Sequence, residues 1–196
     1  MTALKSVAVF CGSSRGVRPA YAEAASATGR LLAGRGIRMV YGGGNVGLMG
    51  SAADACVAAG GSVTGVIPQA LKAREVAHTG LADLRVVGSM HERKALMADL
   101  SDGFMALPGG YGTFDELFEI LTWGQLGIHR KPVGLLNVEG YFDPLLAMAD
   151  HAAAEGLLRA AHRRLMLVET DPAALLDRFA AHVPEDASKW LERPGR

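Results

Sequence analysis

The sequence predicts an α/β protein: a Rossmann-like, doubly wound parallel sheet with helices on both faces, in a single domain. Three observations carry this expectation. Short apolar runs of buried-strand length alternate with helix-period segments along the whole chain. Each strand leads into a helix rather than a hairpin turn, so successive strands are parallel, and right-handed crossovers put helices on each side of the sheet. Glycine-rich turns at Gly12, Gly42 and Gly109 follow strand ends, and ligands bind such sheets beyond the carboxyl ends of the strands, where strand order reverses.

The elements follow in order. Residues 7–11, Val-Ala-Val-Phe-Cys, form the first strand and run into Gly12-Ser13-Ser14-Arg15-Gly16, whose small residues and hydroxyls suit an anion. An Ala-rich helix covers 19–34, with Leu31 and Leu32 on its apolar side and Gly34 and Gly36 punctuating its end. The second strand, 38–41, enters the run Gly42 to Gly50, and a helix follows over 51–59. The third strand, 62–67, stops at Pro68. Residues 69–82 are mixed and polar, a loop with one helical turn at most, and hold Arg74, Glu75 and His78. A fourth strand at 84–87 precedes a helix over 89–100, opened by the capping box Ser89-Met90-His91-Glu92. Residues 103–107 form the fifth strand, and apolar positions 114, 117, 118 and 121 predict an amphipathic helix after it. A strand at 131–136, a helix at 141–155, a strand at 165–168 and a helix at 172–182 complete the pattern. The domain is expected to span 1–183, with 184–196 as a surface tail of little periodicity.

Bulk composition narrows the partners. A chain of 196 residues can bury most of its apolar surface as one domain. Lys+Arg and Asp+Glu both number 20, so there is no net field to attract a nucleic acid or an acidic membrane, and a small molecule is the expected partner. The only cysteines, Cys11 and Cys56, fall in strand and helix patterns and read as buried thiols in a reducing compartment, not as a disulfide or metal framework. No metal site is expected. The N-terminus runs straight into a strand without a signal-like region, and no apolar stretch is long enough to span a bilayer, which predicts a cytoplasmic protein.

The chemistry concentrates in Leu107 to Glu116. Glycines in a strand-to-helix turn let backbone N–H groups approach a ligand, and the helix N-terminus adds donors and partial positive charge, which together suit a phosphate. Glu116 then lies one turn into the helix, beside whatever the loop holds. A second reading stays open, in which Thr113-x-x-Glu116 is only a capping box. Gly42-x-Gly44-x-x-Gly47 matches the dinucleotide fingerprint, yet no acidic residue ends the third strand where an NAD ribose contact belongs, and no P-loop motif is present. Three glycine-rich turns without a metal constellation suit holding a phosphate group rather than splitting it. Arg93 and Lys94 sit near a helix N-terminus, where cations oppose the dipole and ask for a compensating anion. His91 reads as surface or supporting, with no acidic partner at usable spacing.

Pro108-Gly109-Gly110-Tyr111-Gly112-Thr113-Phe114-Asp115-Glu116 fits the signature PGGxGTxxE, and Gly42 to Gly50, Met90 to Lys94 and Thr122 to Gly127 fit its companion blocks. On these motifs the chain resembles the Lonely Guy (LOG) family of cytokinin riboside 5′-monophosphate phosphoribohydrolases, from about Val7 to the last helix. The resemblance implies hydrolysis of the N-glycosidic bond of AMP or N6-prenylated AMP, such as isopentenyl-AMP, to free base and ribose 5-phosphate, without a cofactor. Carried over by motif position, Glu75, Arg93, Lys94, the run Gly110, Tyr111, Gly112, Thr113 to Glu116, and Thr122 form the substrate-binding set, and Arg93 and Glu116 the catalytic pair. Gly109, Gly43, Gly44 and Met90 adjoin them in the same motifs, and Ser13, a hydroxyl in the turn after the first strand, suits the phosphate; all five are included as binding residues. The family's older label of lysine decarboxylase finds no support, because no lysine stands in a recognisable pyridoxal-phosphate setting. A non-catalytic nucleotide-binding or sensor module is the alternative, since fold alone does not settle function. The apolar helix 117–126 with Trp123 and Ile128 exceeds what one covered face requires, which predicts a homodimer, as LOG-type proteins commonly form.

Overall fold

The computed structural model describes residues 4–72 and 77–184. Its strands are β1 (Ser6–Phe10), β2 (Arg38–Tyr41), β3 (Val63–Pro68), β4 (Asp83–Val87), β5 (Gly103–Ala106), β6 (Val133–Leu136) and β7 (Met166–Glu169). Its helices are α1 (Pro19–Gly34), α2 (Gly47–Ala58), α3 (Gln69–Lys72), α4 (Met90–Asp99), α5 (Tyr111–Gln125), α6 (Asp143–Ala154), α7 (Ala160–Arg163) and α8 (Pro172–Ala180). All seven strands pair in parallel in the order β4-β3-β2-β1-β5-β6-β7. The chain thus builds outward from β1 to one edge, then returns to build β5 to β7 on the other side. The reversal falls between β1 and β5, which opens a crevice at their carboxyl ends.

Alternation along each strand makes the fold doubly wound. Val7, Val9, Met39, Tyr41, Met105 and Leu107 point to one face, where Leu32 of α1, Ala52 and Cys56 of α2 and Leu175 and Phe179 of α8 cover them. Ala8, Phe10, Val40, Phe104, Ala106 and Leu135 point to the other, beneath Met97 of α4, Leu117 and Ile120 of α5 and Ala149 of α6. Both faces are buried, which is why the strands read as continuous apolar runs instead of alternating ones. A fully buried side chain such as Leu117 contributes about 1.5–3 kcal/mol over its exposed state. The doubly wound parallel sheet predicted from the sequence is the one observed, and Cys11 and Cys56 are both free and buried.

Local chemistry sets most boundaries. Ser89 caps α4, its Oγ accepting from Glu92 N at 3.1 Å, while Glu92 Oε2 accepts from Gly88 N at 2.7 Å, so the box closes one residue earlier than the motif implies. α2 differs more: it begins at Gly47, not near 51, because Leu48 N and Met49 N donate to Gly12 O (2.9 and 3.3 Å) and Leu48 is buried. That outweighs the helix penalty of glycine, about 1 kcal/mol. The stretch after β3 opens with one short helix, α3, and α7 is a helical turn that periodicity did not indicate. Arg74 and Glu75 lie outside the described residues, as do residues 185–196, where most of the expected surface tail falls. Among the described residues no helix is long and apolar enough to cross a membrane.

Candidate active site

Three turns meet at the crevice. Gly12 N donates to Pro108 O at 3.0 Å and Leu48 N donates to Gly12 O at 2.9 Å, so the loops after β1, β2 and β5 are stitched into one rim. A cavity of about 360 Å³ opens between them. Ser13, Gly44, Arg93, Gly110, Tyr111, Gly112, Thr113 and Glu116 all line it, together with Cys11, Gly42 and the apolar Ile67 and Leu71. A second cavity of about 220 Å³ adjoins it, sharing Gly12, Ser13 and Gly110 and bounded by Gly109 and Tyr141.

Arg93 and Glu116 are the charged pair of the main cavity. Arg93 Nη2 lies 3.2 Å from Glu116 Oε1, both side chains are 10% exposed, and Arg93 Nε donates to Val66 O at 3.2 Å. Met90 Sδ stands 3.8 Å from Arg93 Nη1. Gly42 is what lets the guanidinium lie there: a Cβ at that position would fall 1.8 Å from Arg93 Nη2. Burial pushes the Glu116 carboxyl up to about 7, and the Arg93 guanidinium pulls against it without prevailing. A carboxyl poised near neutrality suits proton transfer and charge stabilisation at ordinary pH. Burial, with the Glu116 charge adding to it, pushes the Cys11 thiol up, so Cys11 is a neutral wall and no nucleophile.

The capping-box reading of Thr113 and Glu116 does not hold. Gly110 is the N-cap of α5 and Thr113 is its third residue, so the helix starts earlier than a Thr113 cap allows. Thr113 is buried with its hydroxyl turned onto the loop: a Cβ at Gly109 would fall 2.1 Å from Thr113 Oγ1. Glu116 is thereby free to reach Arg93 instead of the helix N-terminus. The first-turn amides of α5 sit beside the cavity with no acidic residue among them, which leaves their donors and partial charge to an anionic ligand.

The remaining residues of the predicted set are placed differently. The compensating charge for Arg93 and Lys94 is internal: Lys94 Nζ lies 3.0 Å from Asp115 Oδ2 and 3.1 Å from Glu119 Oε1. Burial pulls Lys94 down, and the two carboxylates outweigh it, holding the ammonium above its usual range. Gly43 (φ 72°) shapes the turn, and its carbonyl accepts from His78 N at 2.8 Å. Thr122 is exposed on α5, donating to Phe118 O at 2.7 Å, away from the cavity walls. Glu75 lies outside the described residues. His91 is exposed, and among the described residues no group of three or more His, Cys, Asp or Glu is placed to hold a metal. Sequence reasoning did not single out Cys11, Ile67 or Leu71 as lining residues; the first follows a strand at the ligand edge, a usable signal, whereas the others carry none.

Residues 49–179 match a family described as "Possible lysine decarboxylase". A probable cytokinin riboside 5′-monophosphate phosphoribohydrolase of Oryza sativa subsp. japonica is 52% identical over 178 residues, covering 91% of this chain and 78% of its own. The cytokinin riboside 5′-monophosphate phosphoribohydrolase LOG of the same plant is 48% identical over 179 residues, covering 91% and 74%. LOG7 of Arabidopsis thaliana, of the same description, is 48% identical over 181 residues, covering 92% and 83%. Among solved structures, the molybdenum cofactor binding protein of Rippkaea orientalis superposes with a TM-score of 0.66 at 22% identity, covering 90% of this chain and 96% of its own. At that identity the likeness speaks for the fold alone.

Proposed function

This chain belongs to the Lonely Guy family of cytokinin riboside 5′-monophosphate phosphoribohydrolases, and from that premise we propose how its cavity works on a nucleoside 5′-monophosphate. The protein is a hydrolase of the N-glycosidic bond: water adds hydroxide to the anomeric carbon and a proton to the departing base, giving ribose 5-phosphate and adenine or its N6-prenylated form. The observation that carries the assignment of residues is the buried Arg93–Glu116 pair, 3.2 Å apart, beside glycine-rich amides.

The bond breaks through an oxocarbenium-like state, so a carboxylate facing the sugar carbon stabilises the developing positive charge and orients or deprotonates the attacking water. Glu116 takes that part, in its ionised form. Arg93 holds the carboxylate and positions the ribose. The amides of Gly110, Tyr111 and Gly112, with Thr113 and Ser13, receive the 5′-phosphate, and Gly44 closes the other wall. No lysine is among the described residues that line the cavity, so its walls offer no amine for the Schiff base that decarboxylation would need. Incubation of the purified protein with AMP and isopentenyl-AMP is expected to release free base; binding without release would leave a nucleotide-binding module instead.

The homodimer and the cytoplasmic location belong to this proposal. Leu117 and Ile120 face the molecule's own core, whereas Phe118 (41% exposed) and Ile128 (64%) remain uncovered. Light scattering on the size-exclusion peak is expected to give twice the chain's 20.5 kDa mass, and a monomer mass removes the dimer.

A further inference from the structure

Tyr141 stands 32 residues from Gly109 in sequence, yet its hydroxyl donates to the Gly109 carbonyl. The ring is held for that purpose from several sides. Tyr21 packs edge-on against it at 5.6 Å between centroids and Phe142 at 5.1 Å. The turn that carries it, between β6 and α6, is stapled by Asn137, whose Oδ1 accepts from Phe142 N and whose Nδ2 donates to Asp143 Oδ1, both at 2.7 Å. Glu139 within this turn adopts φ 48°, uncommon for a residue with a side chain, and pairs with Arg18 at 3.0 Å.

We propose that Tyr141 is a positioning residue for phosphate recognition: by holding the Gly109 carbonyl, it aims the Gly110 N–H into the cavity that contains Arg93 and Glu116. The reason is the planar trans peptide, in which the carbonyl of one residue and the N–H of the next point in opposite directions. Gly109 and Gly110 have no side chains to resist rotation of that peptide, so an outside partner must set it. Tyr141 lines the smaller cavity behind the loop, Gly110 borders both, and Arg93 and Glu116 line the larger one. Tyr141 therefore works through the loop and touches no reacting atom.

The inference rests on the reading of the site as a nucleoside monophosphate site, and its test is a binding titration that needs no turnover. Calorimetry of wild type and Tyr141→Phe with ribose 5-phosphate, and separately with adenine, reads the two halves of the ligand. The ring contacts survive in the variant and only the hydroxyl is lost. Ribose 5-phosphate affinity is expected to weaken roughly 3- to 10-fold, the reach of one neutral hydrogen bond, with adenine affinity and the thermal midpoint unchanged. Unchanged ribose 5-phosphate affinity overturns the proposal, as does equal weakening for both ligands, which marks general loosening, or wild type binding no ribose 5-phosphate. The hydrolase reading fails by a separate sign, the absence of free base from AMP.

Discussion

Glu116→Gln is expected to lower base release from AMP at least ~100-fold while leaving the fold intact, the usual reach of an acid–base or electrostatic group. The amide keeps the shape and can still accept from Arg93, but it carries no charge to meet the oxocarbenium and cannot take a proton from water. Glu116 titrates near 7 in the folded protein because it is buried. Wild-type kcat/KM is therefore expected to fall as pH drops below about 7, and the residual activity of the variant to lose that limb. Stability gives an independent reading. The folded carboxyl, raised from 4.5 to about 7, holds its proton in a range where the unfolded one has released it, so its contribution is present below 4.5 and lost as pH rises through 7. The stability difference between variant and wild type should move in the variant's favour across that window. Near-normal turnover in the variant discards the catalytic assignment.

Gly42→Ala is expected to inactivate the enzyme about as fully as Arg93→Ala, again by at least ~100-fold, although it adds one methyl group. The added Cβ would fall 1.8 Å from Arg93 Nη2 and 3.0 Å from its Cζ, so the guanidinium must leave its place against Glu116 and Val66 O. Alanine suits the backbone there, since the left-handed angle in this turn belongs to Gly43, not Gly42. The atom displaced is the end of a flexible side chain, so the protein should still fold, as circular dichroism would report. A double-mutant cycle isolates the cause: in the Arg93→Ala background the space is empty, and Gly42→Ala should cost little more. An additive loss in the double variant, or an active Gly42→Ala, removes the explanation.

Both predictions concern contacts that no sequence window contains. The sequence did place Arg93 and Glu116 near a helix start each, on elements following strands that end at the ligand edge. It also posed the question of what balances Arg93 and Lys94. The answer came from α5, where Glu116 meets the first and Asp115 with Glu119 the second. In the same way, Thr113 and Glu116 have the spacing of a capping box, and the spacing alone leaves that reading standing. Buried Arg93 competes for the carboxylate and wins, and the helix begins at Tyr111, with Gly110 as its N-cap and its first-turn donors open to the crevice.

What the sequence determined by itself is whatever depends on local period and composition: strands that read as unbroken apolar runs, helices between them, glycine turns at strand ends, a cap at Ser89 and the signature around Glu116. Those features follow from backbone geometry and side-chain burial repeated every two or 3.6 residues. Tertiary structure alone decided which of two cations the key carboxylate pairs with, that Gly42 is empty space reserved for a guanidinium, and that Tyr141 holds the Gly109 carbonyl. Parallel pairing of distant strands creates those neighbours, and a buried charge or donor takes whichever partner the packed sheet brings within reach.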